Sequence, residues 1–235
     1  SDMAGVALPF SALLFSGGGR IDTAAYCASE GGDAEILFGR GMTALTPANG
    51  RWRLMENARA ICDAEVVVFA NAGAMAGFSQ GAWLPLTARQ GQVTTAAASP
   101  ESARLRCVLA YGGTITPSRD GFHHLGPTFN PLAPGAAEDD VNDRDDARNI
   151  GQLARVLPDL ARGLVPAASW AGVRWTLPDH LPVVGPLADA AAFARDYAPL
   201  RHGQHWVSYP PAAYEQGLYV MAGLGSHGLA LAPLC

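Results

Sequence analysis

The sequence predicts a mixed α/β fold in two interleaved parts, and three observations support this prediction. Glu65–Ala70 contains an unbroken apolar run between turn residues, which is typical of a buried strand. Short strand-like segments separated by polar turns follow in residues 92–125, a pattern typical of an antiparallel sheet. Near the C-terminus, the strand-like residues 217–222 lead directly into the glycine-rich hexapeptide 223–228.

Length, charge and composition exclude several classes of protein. The 235 residues are 49% hydrophobic and 16% charged, which suits one large globular domain or two small ones. All 16 basic residues are arginines and the net charge is −5, so the chain is not expected to hold RNA by phosphate contacts alone. No apolar run reaches the roughly 18–20 residues that span a bilayer, so we expect no membrane partner. The four cysteines are widely spaced, without a C-x-x-C pair or a Cys/His cluster, which indicates a cytoplasmic protein with reduced thiols and no metal site.

The first third of the chain predicts strands around one short helix. Asp22 or Thr23 can cap a helix that runs to Glu30 and is closed by Gly31-Gly32. Asn49-Gly50 is a strong hairpin signal between two strand-like runs. The predicted strands are residues 7–16, Glu35–Phe38, Thr43–Leu45, Trp52–Met55 and Glu65–Ala70, the last covered on both faces.

The remainder of the chain predicts an antiparallel sheet, a long helix and a return to α/β texture. The apolar residues of the acidic segment fall roughly on one helical face: Val141, Ile150, Leu153, Val156 and Leu157. The other predicted elements are strands at Gln92–Ala96, Arg106–Ala110, Gly113–Thr116, His123–Leu125, Ser169–Trp175 and 218–222, and a helix at Ala188–Tyr197. We therefore predict that 17–78 and 172–235 form part of a nucleotide-binding domain. Residues 1–16 and 79–171 are predicted to form an inserted antiparallel-sheet substrate domain.

The hexapeptide Gly223-Leu224-Gly225-Ser226-His227-Gly228 is a G-x-G-x-x-G, the pattern that cradles a dinucleotide pyrophosphate. A true fingerprint opens a βαβ unit of about 30 residues, whereas Cys235 ends this chain. Two interpretations are open. Either the glycines only make a turn, or they contact a cofactor from the C-terminal side while the main fingerprint lies outside this chain. The sequence favours the second, with a helix start near Ser226 directing its N–H groups at an anionic ligand.

Two further segments are candidates for the same site. The small residues Ala70, Asn71 and Gly73 end the run Glu65–Gly73, where a strand edge can bring backbone amides close to a ligand. The alternative is a core strand with a tight turn. Arg174 lies in an apolar strand and therefore needs an anionic partner. That partner is either a structural acid such as Asp179 or a substrate carboxylate, which suits the guanidinium fork.

The order of these motifs resembles the FAD-dependent D-amino-acid-oxidase/glycine-oxidase-like family. Within it, the resemblance is strongest to the oxidoreductase part of bifunctional tRNA wobble-uridine-modifying enzymes. It extends from about Leu8 to Cys235. The matching motifs are SGGGRID, EVVVFANAG, PLTARQGQV, GVRWTLPDHLPVVG and GLYVMAGLGSHGLALAPLC.

The resemblance implies a truncated FAD-linked reductase fold and an enzyme that acts as part of a longer protein. It would remove the carboxymethyl group of 5-carboxymethylaminomethyl-2-thiouridine oxidatively, with FAD as cofactor and with tRNA bound through the full-length protein. By position in the family motif, Arg174 would bind the substrate carboxylate. Tyr111 is a further candidate, for lining the substrate side. The cofactor would contact Ala70, Asn71, Gly73, Gly223, Gly225, Ser226, His227 and Gly228.

Two positions depart from the family pattern. Gln90 and His227 stand where the related proteins carry arginine. The part of the family that holds the main FAD fingerprint is not among these residues, so the piece alone is expected to be inactive. Two alternatives to the tRNA-modifying enzyme are an FAD-dependent oxidase of free glycine-like amines and a non-catalytic binding module that keeps only the scaffold.

Overall fold

The computed structural model describes residues 2–133 and 135–235, and the chain divides into two compact units. Unit 1 comprises Ser1–Ile36 and Arg89–Val173, and unit 2 comprises Leu37–Ala88 and Arg174–Cys235. The division predicted from the sequence differs mainly at two segments. It groups residues 17–36 with the nucleotide-binding part and residues 79–88 with the substrate part. In the structure, residues 17–36 belong to unit 1 and residues 79–88 belong to unit 2.

The fold is mixed α/β, as the sequence predicts. The strands are β1 (Ala44–Ala48), β2 (Arg51–Glu56), β3 (Arg59–Ala64), β4 (Val67–Phe69), β5 (Thr87–Ala97), β6 (Leu109–Ala110), β7 (Thr114–Ile115), β8 (Phe122–Gly126), β9 (Asn130–Pro131), β10 (Val165–Thr176), β11 (Val183–Ala188) and β12 (Tyr214–Ala222). The α-helices are α1 (Thr23–Glu30), α2 (Asp143–Val156), α3 (Pro158–Ala161), α4 (Ala190–Asp196) and α5 (Gly228–Leu231). Short 3-10 helices span Ala72–Gly77, Ser102–Arg104, Ala198–His202 and Gly225–His227.

Unit 1 is built on the sheet β10-β5-β8-β7-β6, with β9 also pairing with β5. Helix α2 begins at its N-cap Asn142, whose side chain accepts a hydrogen bond from the backbone N–H of Asp145. Three acids in its first turn complement the helix dipole. The helix buries Leu153 in the core with the sheet residues Ala96, Ile115 and Leu125. The predicted apolar face is confirmed except at its first position, because Val141 precedes the helix and is exposed.

A buried polar network fastens α2 to the sheet of unit 1. The Oδ1 atom of Asp146 accepts hydrogen bonds from Gln92 Nε2 at 2.7 Å, Thr94 Oγ1 at 2.6 Å and Ser169 Oγ at 2.6 Å. A buried carboxylate is tolerated only when such donors replace its water. The network therefore fixes the register between α2, β5 and β10.

Unit 2 contains the predicted hairpin. Asn49 and Gly50 have φ values of 53° and 75°, and Ala48 pairs with Arg51, so the two residues form the tight turn between β1 and β2. Left-handed backbone at both central positions is what Asn-Gly favours in a two-residue hairpin. Strand β3 extends the hairpin into a three-stranded sheet, and Arg53 of β2 forms an ion pair with Asp63 of β3 at 2.7 Å.

The second sheet of unit 2 has the order β11-β12-β4, with β12 antiparallel to β11 and parallel to β4. One face packs into a core with Phe69, Leu187, Leu218 and Val220. The prediction that residues 65–70 are covered on both faces is wrong, because Val68 is 55% exposed while Phe69 is 5% exposed. The apolar run is therefore half-buried within unit 2.

Two other predicted strands are wrong. Residues 7–16 and 35–38 have no strand structure, and their large apolar side chains point outward, with Leu13 86%, Phe15 77% and Phe38 87% exposed. Strand propensity alone does not stabilise a strand without a partner to complete its hydrogen bonds. Helix α1 is confirmed, because Asp22 Oδ1 accepts from Ala25 N at 3.0 Å. Within residues 2–133 and 135–235, every helix is too short or too polar to span a bilayer.

Candidate functional site

The two glycine-containing motifs emerge at the same edge of the β11-β12-β4 sheet. Strands β4 and β12 are parallel and paired, with Phe69 opposite Val220. The segment Ala70–Gly73 follows β4, and the loop Gly223–Gly228 follows β12. Since the carboxyl ends of parallel strands meet at one edge, both segments lie where α/β sheets bind their ligands.

The loop 223–228 packs against the segment after β10. Leu224 forms a β-bridge with Thr176. Gly223 and Gly225 have φ values of 74° and 55°, which disfavour residues with a side chain. A Cβ at Gly225 would lie 3.1 Å from Thr176 Cγ2. These two glycines therefore serve the turn and its close packing, while Ser226 and His227 are exposed.

Trp175, which directly precedes Thr176 in β10, contacts the motif Ala70–Gly73. A Cβ added at Gly73 would overlap the indole ring of Trp175, so the ring lies directly on the Gly73 backbone. Arg174 precedes this tryptophan and Thr176 follows it. Gly73 and the 223–228 loop thus contact the two residues that follow Arg174 in β10, within unit 2.

Arg174 is half-buried, and this burial lowers the pKa of its guanidinium. An arginine keeps its charge at neutral pH even after such a shift. Asp179, the suggested structural partner, accepts a hydrogen bond from Leu181 N at 3.0 Å through Oδ1, and the structural ion pair stays an alternative for Arg174. A partly desolvated guanidinium is suited to bind a carboxylate through two parallel hydrogen bonds.

The helix expected to direct its dipole at the ligand is short. The hexapeptide forms a 3-10 turn at Gly225–His227, and α5 spans only Gly228–Leu231. The helical turns therefore start close to Ser226, as the sequence predicts, and the contact of their N–H groups with an anionic ligand stays a prediction.

Nearly the whole chain matches the model of one protein family. Residues 3–235 match the family described as DAO, FAD dependent oxidoreductase. The chain belongs to this family. The similar curated proteins of this oxidoreductase family include the tRNA 5-methylaminomethyl-2-thiouridine biosynthesis bifunctional protein MnmC of Chromobacterium violaceum, which is 37% identical over 243 residues and 100% of this chain. MnmC of Pseudomonas putida is 35% identical over 99% of this chain. The chain spans 36% of the length of each.

Solved structures of other flavoenzymes share the fold. Glycine oxidase from Geobacillus kaustophilus has a TM-score of 0.61 at 21% identity, covering 83% of this chain and 45% of its own. L-Proline dehydrogenase from P. horikoshii has a TM-score of 0.62 at 17% identity, covering 89% of this chain and 50% of its own. At these identities the likeness shows the fold alone.

The residues at the sheet edge are compatible with the FAD that the family name implies. Neither Ala70–Gly73 nor Gly223–Gly228 contains a carboxylate that would repel a phosphate or a reduced flavin. Ser226 and His227 leave an exposed stretch of loop for contact. The space beside Gly73, by contrast, is filled by the indole ring of Trp175, so the lack of a side chain at Gly73 serves packing inside this oxidoreductase. Among the described residues, no three His, Cys, Asp or Glu side chains are grouped as metal ligands.

Tyr111 belongs to unit 1, and its phenol is engaged locally. Its hydroxyl donates to the carbonyl of Thr114 at 3.3 Å, and its ring packs against the unit 1 core. Burial raises the pKa of Tyr111 to about 12. A role on the substrate side stays a prediction for this residue.

The raised pKa of Tyr111 predicts a pH dependence of stability. Between its ordinary pKa of 10.0 and the folded value of about 12, the unfolded chain releases the phenol proton and the folded chain keeps it. The free energy of unfolding therefore has its full Tyr111 contribution below pH 10 and loses it as the pH rises to about 12. Tyr111→Phe is expected to flatten this decline in urea unfolding, whereas Tyr214→Phe, at an exposed position, leaves it unchanged. Equal slopes for both variants would contradict the prediction.

Gln90, one of the two departures from the family pattern, holds a loop of unit 1. Its Nε2 donates to the carbonyls of Ala137, Glu138 and Asp140 at 3.4, 3.3 and 3.0 Å. His227, the other departure, is exposed in the candidate site. Sequence reasoning missed the contact of Trp175 with Gly73, because no spacing relates two residues that meet only in the folded chain.

Proposed function

We propose that this chain is the carboxylate-recognising part of an FAD-dependent amine oxidoreductase that acts on tRNA. The proposed reaction removes the carboxymethyl group from 5-carboxymethylaminomethyl-2-thiouridine oxidatively. The observation that carries the proposal is the half-buried Arg174, whose chain neighbours Trp175 and Thr176 contact the two loops at the carboxyl edge of the sheet. The names of the MnmC relatives, which refer to 5-methylaminomethyl-2-thiouridine biosynthesis in tRNA, support the choice of substrate.

The chemistry assigns separate tasks to these residues. The group to be removed is an N-substituted glycine, so its carboxylate can pair with the guanidinium of Arg174. This pairing would fix the orientation of the neighbouring α-carbon. FAD supplies the acceptor for the hydride that leaves this carbon. Addition of water to the oxidised C–N bond then releases glyoxylate and the aminomethyl base.

Two loop segments would hold the cofactor, while Arg174 would hold the substrate. We propose that Ala70, Asn71 and Gly73 line the cofactor on one side. The loop 223–228, with Gly223, Gly225, Ser226, His227 and Gly228, would line it on the other side. Because the chain spans 36% of the length of its MnmC relatives, the activity and the contact with tRNA are proposed for the full-length protein in the cytoplasm.

The deciding experiment compares substrates for the FAD-loaded full-length protein that contains this chain. We expect tRNA with 5-carboxymethylaminomethyl-2-thiouridine to yield glyoxylate and the aminomethyl nucleoside, measured by mass spectrometry of digested tRNA. Free glycine should not reduce the flavin at a comparable rate. Flavin reduction by glycine alone would replace the proposal with an oxidase of free amines. No reaction with either substrate would indicate a non-catalytic module. The 235-residue chain by itself is the control and is expected to give no turnover.

A further inference from the structure

A loop of unit 2 that has neither helix nor strand structure is held in place by two tyrosines. The loop comprises residues 203–213 and leads into β12. Tyr209 of the loop stacks on Tyr197 at the end of α4, with ring centroids 5.5 Å apart and 17° between the ring planes. The Tyr209 hydroxyl donates to the carbonyl of Gln204 at 2.7 Å. The Tyr197 hydroxyl donates to the carbonyl of Pro210 at 2.7 Å.

The stacking continues from Tyr197 into the body of unit 2. Phe193 of α4 stacks on Tyr197 with ring centroids 4.8 Å apart, and the ring of Trp83 lies 5.6 Å from that of Phe193. Aromatic pairs at these separations attract each other beyond the effect of apolar burial. The row of four rings therefore anchors the 203–213 loop, although these residues form no strand.

Trp206 is held in water on this anchored loop. It is 72% exposed, the largest exposed fraction among the five tryptophans. The ring of His205 meets its indole edge-to-face, with centroids 5.1 Å apart and 76° between the planes. The Nδ1 atom of His205 is 3.0 Å from the carbonyl oxygen of Gly203 and donates to it, which orients the imidazole. An exposed indole on a held backbone is typical of a binding surface.

The charged groups near Trp206 in the chain suit an anionic partner. Arg201 is exposed and forms no ion pair in the described part of the chain. Residues 197–214 contain no acid, and Asp196, which precedes them, is neutralised by Arg195 at 2.7 Å. An arginine and an exposed aromatic ring are the groups that bind the phosphates and bases of unpaired nucleic acid.

The 203–213 loop is remote from the candidate carboxylate site. It precedes β12, whereas the 223–228 loop follows β12. The nine residues of this strand span about 30 Å. A free glycine-like amine can contact only one of the two places, whereas a folded RNA can contact both. The separation therefore points to a macromolecular partner for the loop.

We propose that the 203–213 loop and Arg201 form a docking surface for tRNA, separate from the carboxylate site. An unpaired base of the tRNA stacks on Trp206, and a phosphate of the tRNA pairs with Arg201. The inference rests on the proposed function, which supplies tRNA as the partner. It adds a surface that contacts the RNA itself and not the group to be oxidised.

Binding of fluorescein-labelled unmodified tRNA to the FAD-loaded full-length protein, followed by fluorescence anisotropy, tests the base contact. This tRNA lacks the carboxymethylaminomethyl group, so its binding does not depend on the carboxylate site. Trp206→Ala is expected to weaken binding by roughly 5- to 150-fold, the range that the loss of one base–aromatic stack implies. Trp206→Phe should retain most of the affinity. Phe38→Ala, at an aromatic residue of unit 2 that is 87% exposed, is the matched control and should bind as the unmodified protein does.

The phosphate contact has its own measurement. Arg201→Ala should reduce the slope of log K against log salt by roughly 0.7–0.9, the value for one phosphate. Arg59→Ala, at an exposed arginine of β3 whose charge is offset by the nearby Glu56, should leave the slope unchanged.

Steady-state kinetics show whether the surface acts on the RNA alone. For tRNA that carries the substrate group, Trp206→Ala should raise KM by about the same factor as it weakens binding, with kcat unchanged. The free nucleoside 5-carboxymethylaminomethyl-2-thiouridine should react equally with the unmodified and the Trp206→Ala proteins. A lower kcat for the nucleoside would contradict a pure docking role.

Two further results would overturn the proposal: equal tRNA affinities for the Trp206→Ala and Phe38→Ala proteins, or an unchanged salt slope for Arg201→Ala. If Trp206→Ala instead lowers the melting temperature and leaves tRNA affinity unchanged, the loop packs against another part of the full-length protein. The glyoxylate assay separates these outcomes from failure of the proposed function. Binding that depends on Trp206 without turnover would retain the docking surface and remove the proposed reaction. Turnover with binding that ignores Trp206 and Arg201 would do the reverse.

Discussion

Replacing Arg174 with alanine in the FAD-loaded full-length protein is expected to lower kcat/KM for the modified tRNA by about 10²–10⁴-fold. The reason is the loss of two charge-assisted hydrogen bonds to the substrate carboxylate, each worth roughly 1.5–3 kcal/mol. The half-buried position of Arg174 strengthens this interaction, because water screens it less than at the surface. The measurement is glyoxylate release at several tRNA concentrations, which gives kcat and KM separately.

Matched variants distinguish this role from a structural one. Arg174→Lys keeps the charge but loses the planar fork, so its kcat/KM should fall between those of the alanine variant and the unmodified protein. Arg53→Ala removes an arginine that pairs with Asp63 on the β1-β2-β3 sheet of unit 2, and should leave kcat/KM unchanged. A substrate analogue without the carboxylate should react equally slowly with the unmodified and the Arg174→Ala proteins. If Arg174→Ala affects both substrates by the same factor, the guanidinium does not bind the carboxylate.

Features that depend on a few neighbouring residues could be predicted from the sequence. The N-cap Asp22, the turn at Asn49-Gly50 and the apolar face of α2 are each specified by local backbone preferences or by helical periodicity. The two loops of the candidate site could also be predicted. Short strands that end in small residues mark them in the sequence, and parallel pairing of those strands places both at one edge.

Features that depend on tertiary partners could not be predicted. The apolar residues 7–16 have strand propensity but no pairing strand, so they stay irregular. Val68 lies in an apolar run, yet only one face of its sheet is covered within unit 2. One cavity of unit 1 is lined by residues as far apart in the chain as Arg20 and Trp170. No periodicity in a single sequence predicts that two such distant segments lie side by side.

Replacing Gly73 with alanine is expected to destabilise the protein by about 3 kcal/mol, at the upper end of the range for overpacked cores. The added Cβ would occupy the space of the Trp175 indole, and Gly73 is buried, so either the ring or the 3-10 helix Ala72–Gly77 must move. Because Trp175 adjoins Arg174, the same shift should displace the guanidinium and raise KM for the modified tRNA. Urea unfolding measures the first effect, and steady-state kinetics of glyoxylate release measures the second.

Gly77→Ala is the control for this prediction. Gly77 ends the same 3-10 helix, and a Cβ there would have no atom within 4 Å, so alanine should change the free energy of unfolding by less than about 1 kcal/mol. The double variant Gly73→Ala/Trp175→Leu replaces the ring by a smaller side chain and should recover part of the stability that Gly73→Ala loses. If the two substitutions are instead additive, the overlap with Trp175 is not the cause, and Gly73 would have to be explained by contact with the cofactor.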